Sequence, residues 1–160
     1  MLNKKICAIF CAICCTFEIQ ASACTLFAAT GKKFVEGGGT IVAKNRDWYP
    51  GHQELKVIHP PKGNAYYGLF GGEKANFNAA GVNEKGLFVA MSTAGSIPSK
   101  ERRAYTRFKS PEGLRTNEYL LRYYSSVDEV INTTEKIFVE PVNYIIADKT
   151  KVAYIEVGPN

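Results

Sequence analysis

Beyond residue 23 the sequence holds a single cysteine, Cys24; the other four, Cys7, Cys11, Cys14 and Cys15, all lie upstream. No disulfide can form within residues 24–160, which excludes a fold stapled by a disulfide framework. Cys11 and Cys14 have C-x-x-C spacing, but they sit in an apolar stretch that reads as a leader, so a redox centre is set aside. Histidine is nearly as scarce: His52 and His59 are the only two, and both read as surface or loop residues. Chemistry built on a histidine base has little to draw on here. After Phe17 no apolar run is long enough to cross a bilayer. There is no internal repeat, no low-complexity segment and no nucleic-acid-binding motif, which removes repeat arrays and nucleic-acid partners from consideration. Charge of one sign is modest. The formal net charge is +5, and the first 23 residues hold Lys4, Lys5 and Glu18, so +4 belongs to residues 24–160. The densest basic stretch, Lys100 to Lys109 with Arg102, Arg103 and Arg107, reads as a solvated surface loop; the competing reading is a patch that attracts an acidic substrate or an anionic surface.

What is present begins with the leader. Met1 to Lys5 is short and basic, Ile6 to Phe17 is apolar but too short for an ordinary anchor, and Glu18 to Ala23 ends in the A-x-A pattern Ala21-Ser22-Ala23. Residues 1–23 therefore read as a signal peptide removed behind Ala23. This predicts export to a periplasm or the outside, with no stable membrane span after processing. Ala-Ser-Ala-Cys also approaches a lipoprotein cleavage box, although such boxes usually carry Leu or another large aliphatic residue where this chain has Ala21. A lipid-anchored envelope protein is thus the alternative, and its acylated Cys24 would have no free amine. Cleavage without acylation leaves Cys24 first in the chain, with a thiol nucleophile and an α-amine base on one residue.

The remaining 137 of the 160 residues suffice for one domain with a real core. Cys24 to Ala29 and Thr40 to Asn45 read as two strands of a hairpin turning at Gly37-Gly38-Gly39. Glu54 to His59 alternates weakly up to Pro60-Pro61, Tyr66 to Phe70 is a further strand, Ala79 to Gly86 is a turn by composition, and Leu87 to Met91 is β-compatible. After Pro111 the spacing becomes helical over Leu114 to Tyr124. Ser126-Val127-Asp128-Glu129 is a capping box opening a second helix whose apolar face runs from Val127 to Phe138. Val142 to Ala147 and Val152 to Val157 form a hairpin about Asp148-Lys149-Thr150-Lys151. Strands, then helices, then strands predict an α+β fold.

Three segments, taken together and in order, resemble the choloylglycine hydrolase and penicillin V acylase family, and more broadly the linear-amide C–N hydrolases. The first is Cys24-Thr25 with Lys44-Asn45-Arg46-Asp47-Trp48. The second is Gly81-Val82-Asn83-Glu84-Lys85-Gly86-Leu87. The third is Ser126 to Val130 with Asn143 to Asp148 and Ala153 to Glu156. The resemblance spans nearly all of residues 24–157 and implies the N-terminal half of an N-terminal nucleophile hydrolase domain over residues 24–160, a partial αββα four-layer sandwich. It implies Cys24 as the nucleophile and Asp47 as the group that holds the α-amine. The family's arginine three residues before that aspartate falls on Lys44 here, with Arg46 the other cation in reach; a cation beside a sulfur favours thiolate, but a lysine lacks the planar fork. An oxyanion donor falls at about Thr93, where bile-salt hydrolases tend to have Asn and penicillin V acylases Tyr, so the substrate class does not transfer. Asn83 reads as a turn former rather than a catalytic group.

The resemblance implies a small-molecule N-acyl amide as substrate, and neither metal nor cofactor is expected; a homo-oligomer is left open. Family members run to more than 300 residues, and segments carrying a further oxyanion asparagine and an arginine have no counterpart here, which reads as truncation. The alternative to an exported amidohydrolase is a non-catalytic remnant or an anchored binding protein with the same partial fold.

Overall fold

The computed structural model describes residues 24–47 and 51–159. The leader, and with it the signal-peptide reading, lies outside the described residues, as does Trp48. Strands β1 (Thr25–Thr30) and β2 (Thr40–Asn45) form an antiparallel ribbon, in register from Thr25 opposite Asn45 to Thr30 opposite Thr40. Gly37, Gly38 and Gly39 all take φ between 76° and 87°, a region a side chain would resist, which is what lets the connection turn back. A second, six-stranded sheet follows in simple sequence order: β3 (Gln53–Ile58), β4 (Tyr66–Gly71), β5 (Phe77–Asn83), β6 (Phe88–Thr93), β7 (Val142–Ala147) and β8 (Val152–Glu156), each antiparallel to the next. Three short helices, α1 (Ser99–Arg102), α2 (Thr116–Tyr123) and α3 (Val127–Ile131), all sit in the connection between β6 and β7.

This corrects the expected α+β class and the partial four-layer αββα sandwich. The described chain is sheet-dominated, with eight strands and helices of only four, eight and five residues. Two segments account for most of the difference. The helical face read from Val127 to Phe138 stops as a helix at Ile131, where Asn132 leaves helical geometry at φ −95°, ψ 0° and Thr133-Thr134 follow. Ile137 still reaches the core, fully buried, but from chain that is neither helix nor strand. Conversely, the stretch read as a turn from Ala79 is mostly strand β5.

The two faces of the large sheet are covered differently. Side chains alternate along a strand, so Gly81, Val89 and Ile146, which lie in adjacent register positions, share one face. That face receives α2: a Cβ on Gly81 would stand 2.6 Å from Leu121 Cδ1, so only glycine allows the helix this close. Leu120 and Leu121 are fully buried there with Val127, Val130 and Tyr144; burying each such leucine is worth about 1.5–3 kcal/mol. Ala80, Ala90 and Ile145 point to the opposite face, where β1 crosses β6, β7 and β8. Ala90 is completely buried beneath it.

Asn83 ties the β5–β6 turn to the helix. Its Oδ1 accepts from the backbone N–H groups of Lys85 and Leu87 at 3.1 and 2.9 Å, and its Nδ2 donates to the carbonyls of Leu121 and Tyr124, both at 2.8 Å. The capping box is present in shifted form: Glu129 N–H donates to Ser126 Oγ at 3.2 Å, while the Glu129 carboxylate accepts from the Ser125 N–H rather than from that of Ser126. Among the described residues no helix is long and apolar enough to cross a membrane.

Candidate active site

A cavity of about 440 Å3 opens where the free end of the ribbon meets the ends of β5, β6 and β7. The ribbon delivers Cys24 from the start of β1 and two side chains from β2 and its extension, the latter by alternation. Thr40, Val42, Lys44 and Arg46 are the half-buried positions of β2 and its extension, while Ile41, Ala43, Asn45 and Asp47 are exposed. Positions 44 and 46 therefore face inward together, and both line the cavity with Cys24. Thr93, at the end of β6, lines it from the large sheet beside Met91 and Ser92. A bulge lies at the same end of the sheet: Leu69 pairs with Ala80 and Phe70 with Asn78, which leaves Ala79 as the extra residue in the cavity wall.

The Cys24 thiol is half-buried, and its Sγ donates to the Asp47 carbonyl oxygen at 3.7 Å. Of the five residues singled out from the sequence, Cys24, Lys44, Arg46 and Thr93 thus share one cavity, and Asp47 adjoins it through its backbone. Lys44 Nζ donates to the Met91 carbonyl of β6, so it pins the ribbon to the large sheet as well as placing a cation near the sulfur. Burial pushes the Lys44 ammonium below the ordinary lysine value; the Cys24 sulfur pulls it back up and Arg46 pushes it further down. The Arg46 guanidinium lies against Gly71, where a Cβ would stand 2.6 Å from Nη2. Neither histidine takes part: His52 and His59 are exposed and line no wall of this cavity.

Residues that the sequence reading did not assign to the site form the far wall. Arg102, Arg103 and Arg107 come from the basic stretch after β6, Arg115 from the residue before α2, and Glu140 from the approach to β7. The basic stretch read as a solvated loop is therefore in part a cavity wall. The signal was present as a local charge density, but its apposition to Cys24, nearly 80 positions earlier, depends on the sheet. Comparison with protein-family models finds no match, and comparison with curated proteins finds none. Among the described residues no cluster of three or more His, Cys, Asp or Glu is arranged to hold a metal ion.

Proposed function

We propose that the chain is exported, is cut behind Ala23, and then acts as an amidohydrolase on linear, non-peptide C–N bonds with Cys24 as its N-terminal nucleophile. The observation that carries this is the position of the Cys24 thiol at the mouth of a cavity whose near wall is Lys44, Arg46 and Thr93. In the first step Sγ bonds to the amide carbonyl carbon while the α-amine takes the thiol proton, directly or through a water. Charge develops on the carbonyl oxygen, which Thr93 or a neighbouring backbone N–H stabilises. The C–N bond then breaks, the amine leaves with the proton held by the α-ammonium, and a thioester remains on Cys24. Water attacks the thioester with the α-amine again as base, releasing a carboxylic acid and restoring the thiol. Lys44 and Arg46 supply positive charge beside the sulfur, which favours thiolate. The resemblance of Cys24-Thr25 and Lys44 to Asp47 to the choloylglycine hydrolase and penicillin V acylase family supports the same reading.

Two measurements test it. Mass spectrometry of protein recovered from an exporting cell is expected to show Cys24 as a free N-terminal residue; a retained leader or an acylated Cys24 contradicts the proposal. Cys24→Ser is expected to lower amide turnover by about a thousandfold or more and to remove iodoacetamide labelling at that position. Unchanged turnover would eliminate the mechanism.

A further inference from the structure

Ten large apolar side chains are exposed among the described residues, and six of them gather on two surfaces. The first is the outer face of the ribbon. Phe27 pairs with Ala43 and Ala29 with Ile41, so these four side chains share one face with Thr25 and Asn45. Phe27 is 56% and Ile41 53% exposed, and the face carries no charged side chain. The second is the strip of the large sheet formed by Leu55, Val57, Tyr67 and Val82. It too is uncharged, whereas Glu54 and Lys56 stand on the other face of β3. Apolar side chains that alternate with charged ones in this way mark a face built to be covered. The two surfaces meet at a step. β1 crosses β6, β7 and β8. β2 lies on the side toward β4 and β5: Thr40 and Val42 share a groove with Val82 and Phe88, and Arg46 lies against Gly71. Stacked sheets lie about 10 Å apart, so the β2 edge is a step of about that height with the strip at its foot. A flat partner would span this step without filling it. A layer one sheet thick and two strands wide, apolar on the face it lays down, fills it. The ribbon itself has that shape.

We propose that the chain forms a twofold dimer in which the ribbon of each copy lays its outer face on the strip of Leu55, Val57, Tyr67 and Val82 in the other. The axis runs alongside the two β2 edges, which come side by side. The four ribbon strands then form a middle layer between two six-stranded sheets. Such a contact is self-complementary and closes on itself. A face two strands wide and six residues long covers roughly 10 Å by 20 Å. Made twice and counted on both copies, that is about 800 Å2 before side-chain relief is included, close to the lower limit for a specific interface. The dimer is accordingly reversible, with a dissociation constant of about 1–100 µM. It does not depend on the hydrolase reading, because none of its six apolar residues lines the Cys24 cavity.

Sedimentation of protein recovered from an exporting cell is expected to show monomer and dimer in exchange and nothing larger. Ile41→Lys and Val57→Glu are each expected to weaken the dimer about tenfold or more, because the homodimer of either variant carries its charge into both contacts. Mixed in equal amounts, the two variants are expected to associate again. Their heterodimer keeps one contact unaltered and sets the introduced lysine against the introduced glutamate in the other. Circular dichroism is expected to be unchanged in both. A second measurement needs no variant: hydrogen exchange in Thr40–Asn45 and Gln53–Ile58 is expected to slow as the concentration of the unaltered protein rises. A chain still monomeric at about 1 mM, growth beyond the dimer, or a mixture no tighter than either variant alone overturns the proposal. So does dimerisation that leaves hydrogen exchange in those two strands unchanged.

Discussion

At the scale of single residues, the site depends on where two long side chains end. Lys44 spans from the ribbon to the Met91 carbonyl, and Arg46 occupies the space that Gly71 leaves by having no Cβ. Lys44→Met keeps most of the apolar stem and removes the charge. The lost hydrogen bond and the relieved burial of an ammonium offset one another, so we expect a change in stability within about 1 kcal/mol. Iodoacetamide labelling of Cys24 is expected to slow several-fold, because a cation that favours thiolate is gone; an unchanged labelling rate would show that Lys44 acts only as a pin. The Lys44 ammonium is charged below its own pKa, which lies below 10.5, so its contribution to the labelling rate is lost at a lower pH than an ordinary lysine's would be. Gly71→Ala makes a different perturbation: the new methyl displaces the tip of a flexible side chain rather than backbone. We expect the thermal midpoint to move little while the labelling rate at Cys24 changes; a large loss of stability would mean that Arg46 cannot move aside.

At the scale of elements, two polar side chains hold the connections together. Asn83→Ala removes two turn acceptances and leaves the carbonyls of Leu121 and Tyr124 without this donor. The expected cost is roughly 2–4 kcal/mol in urea unfolding, and a cost under about 1 kcal/mol would contradict the account of how α2 is fastened. Asp148 fastens α3 to the β7–β8 turn: Oδ2 accepts from Val127 N–H at 2.9 Å, and Oδ1 from the N–H groups of Thr150 and Lys151 at 2.8 and 2.9 Å. Burial pushes the Asp148 carboxyl up, but those N–H donors and the Thr150 hydroxyl outweigh it, and its pKa lies below the ordinary 3.8. A carboxyl lowered in the folded state adds stability above its unfolded pKa and loses it as pH falls through the folded value. The stability gap between the protein and Asp148→Asn is therefore expected to be full above about pH 4 and to close on further acidification; a gap independent of pH would contradict it.

The elements also show what was legible in the sequence. The β1–β2 ribbon could be read because it is short, alternates with period two and turns on three glycines, all of which act locally. The β7–β8 hairpin was legible for the same reason, with Asp148 as its turn residue. The end of the second helix at Ile131 was not, because Ile137 and Phe138, at helical spacing from Val130 and Ile131, also reach the core from chain that is neither helix nor strand. Strand β5 was hidden by composition. Ala79, Ala80 and Gly81 look like a turn, yet their small size answers to layers above and below: a Cβ on Gly81 would meet Leu121 on one element and the Tyr67 carbonyl on another. Cys24, Lys44, Arg46 and Asp47 were singled out through the resemblance to a family motif, and the ribbon register, with Thr25 opposite Asn45, brings them to one end. Arg103, Arg107 and Arg115 join them only through the pairing of β6 with β7, which no local pattern reports.

At the scale of the molecule, the ribbon is narrower than the sheet beneath it. Val57, Tyr67 and Val82 lie in one row across β3, β4 and β5, on the ribbon's side of the sheet, and are 57%, 46% and 39% exposed; Leu55, two positions along β3, is 60% exposed. An apolar strip of this kind is adhesive in water. We expect concentration-dependent association in sedimentation, reduced by the pair Leu55→Lys and Val57→Lys without change in circular dichroism; unchanged association in the double variant would place the adhesive surface elsewhere. The cavity holding Cys24 lies at the opposite, arginine-lined end of this arrangement from the β5–β6 turn, so that substitution is expected to leave Cys24 labelling unaltered.

The central claim is that one residue supplies both nucleophile and base. Its most direct test is amide turnover by the chain beginning at Cys24, compared with the same chain carrying one glycine ahead of Cys24. The added residue leaves the thiol in place and converts the α-amine into a peptide N–H. The account predicts a loss of turnover of about a hundredfold or more, the usual worth of a general base, with iodoacetamide still labelling Cys24. Equal turnover by the two chains would contradict it.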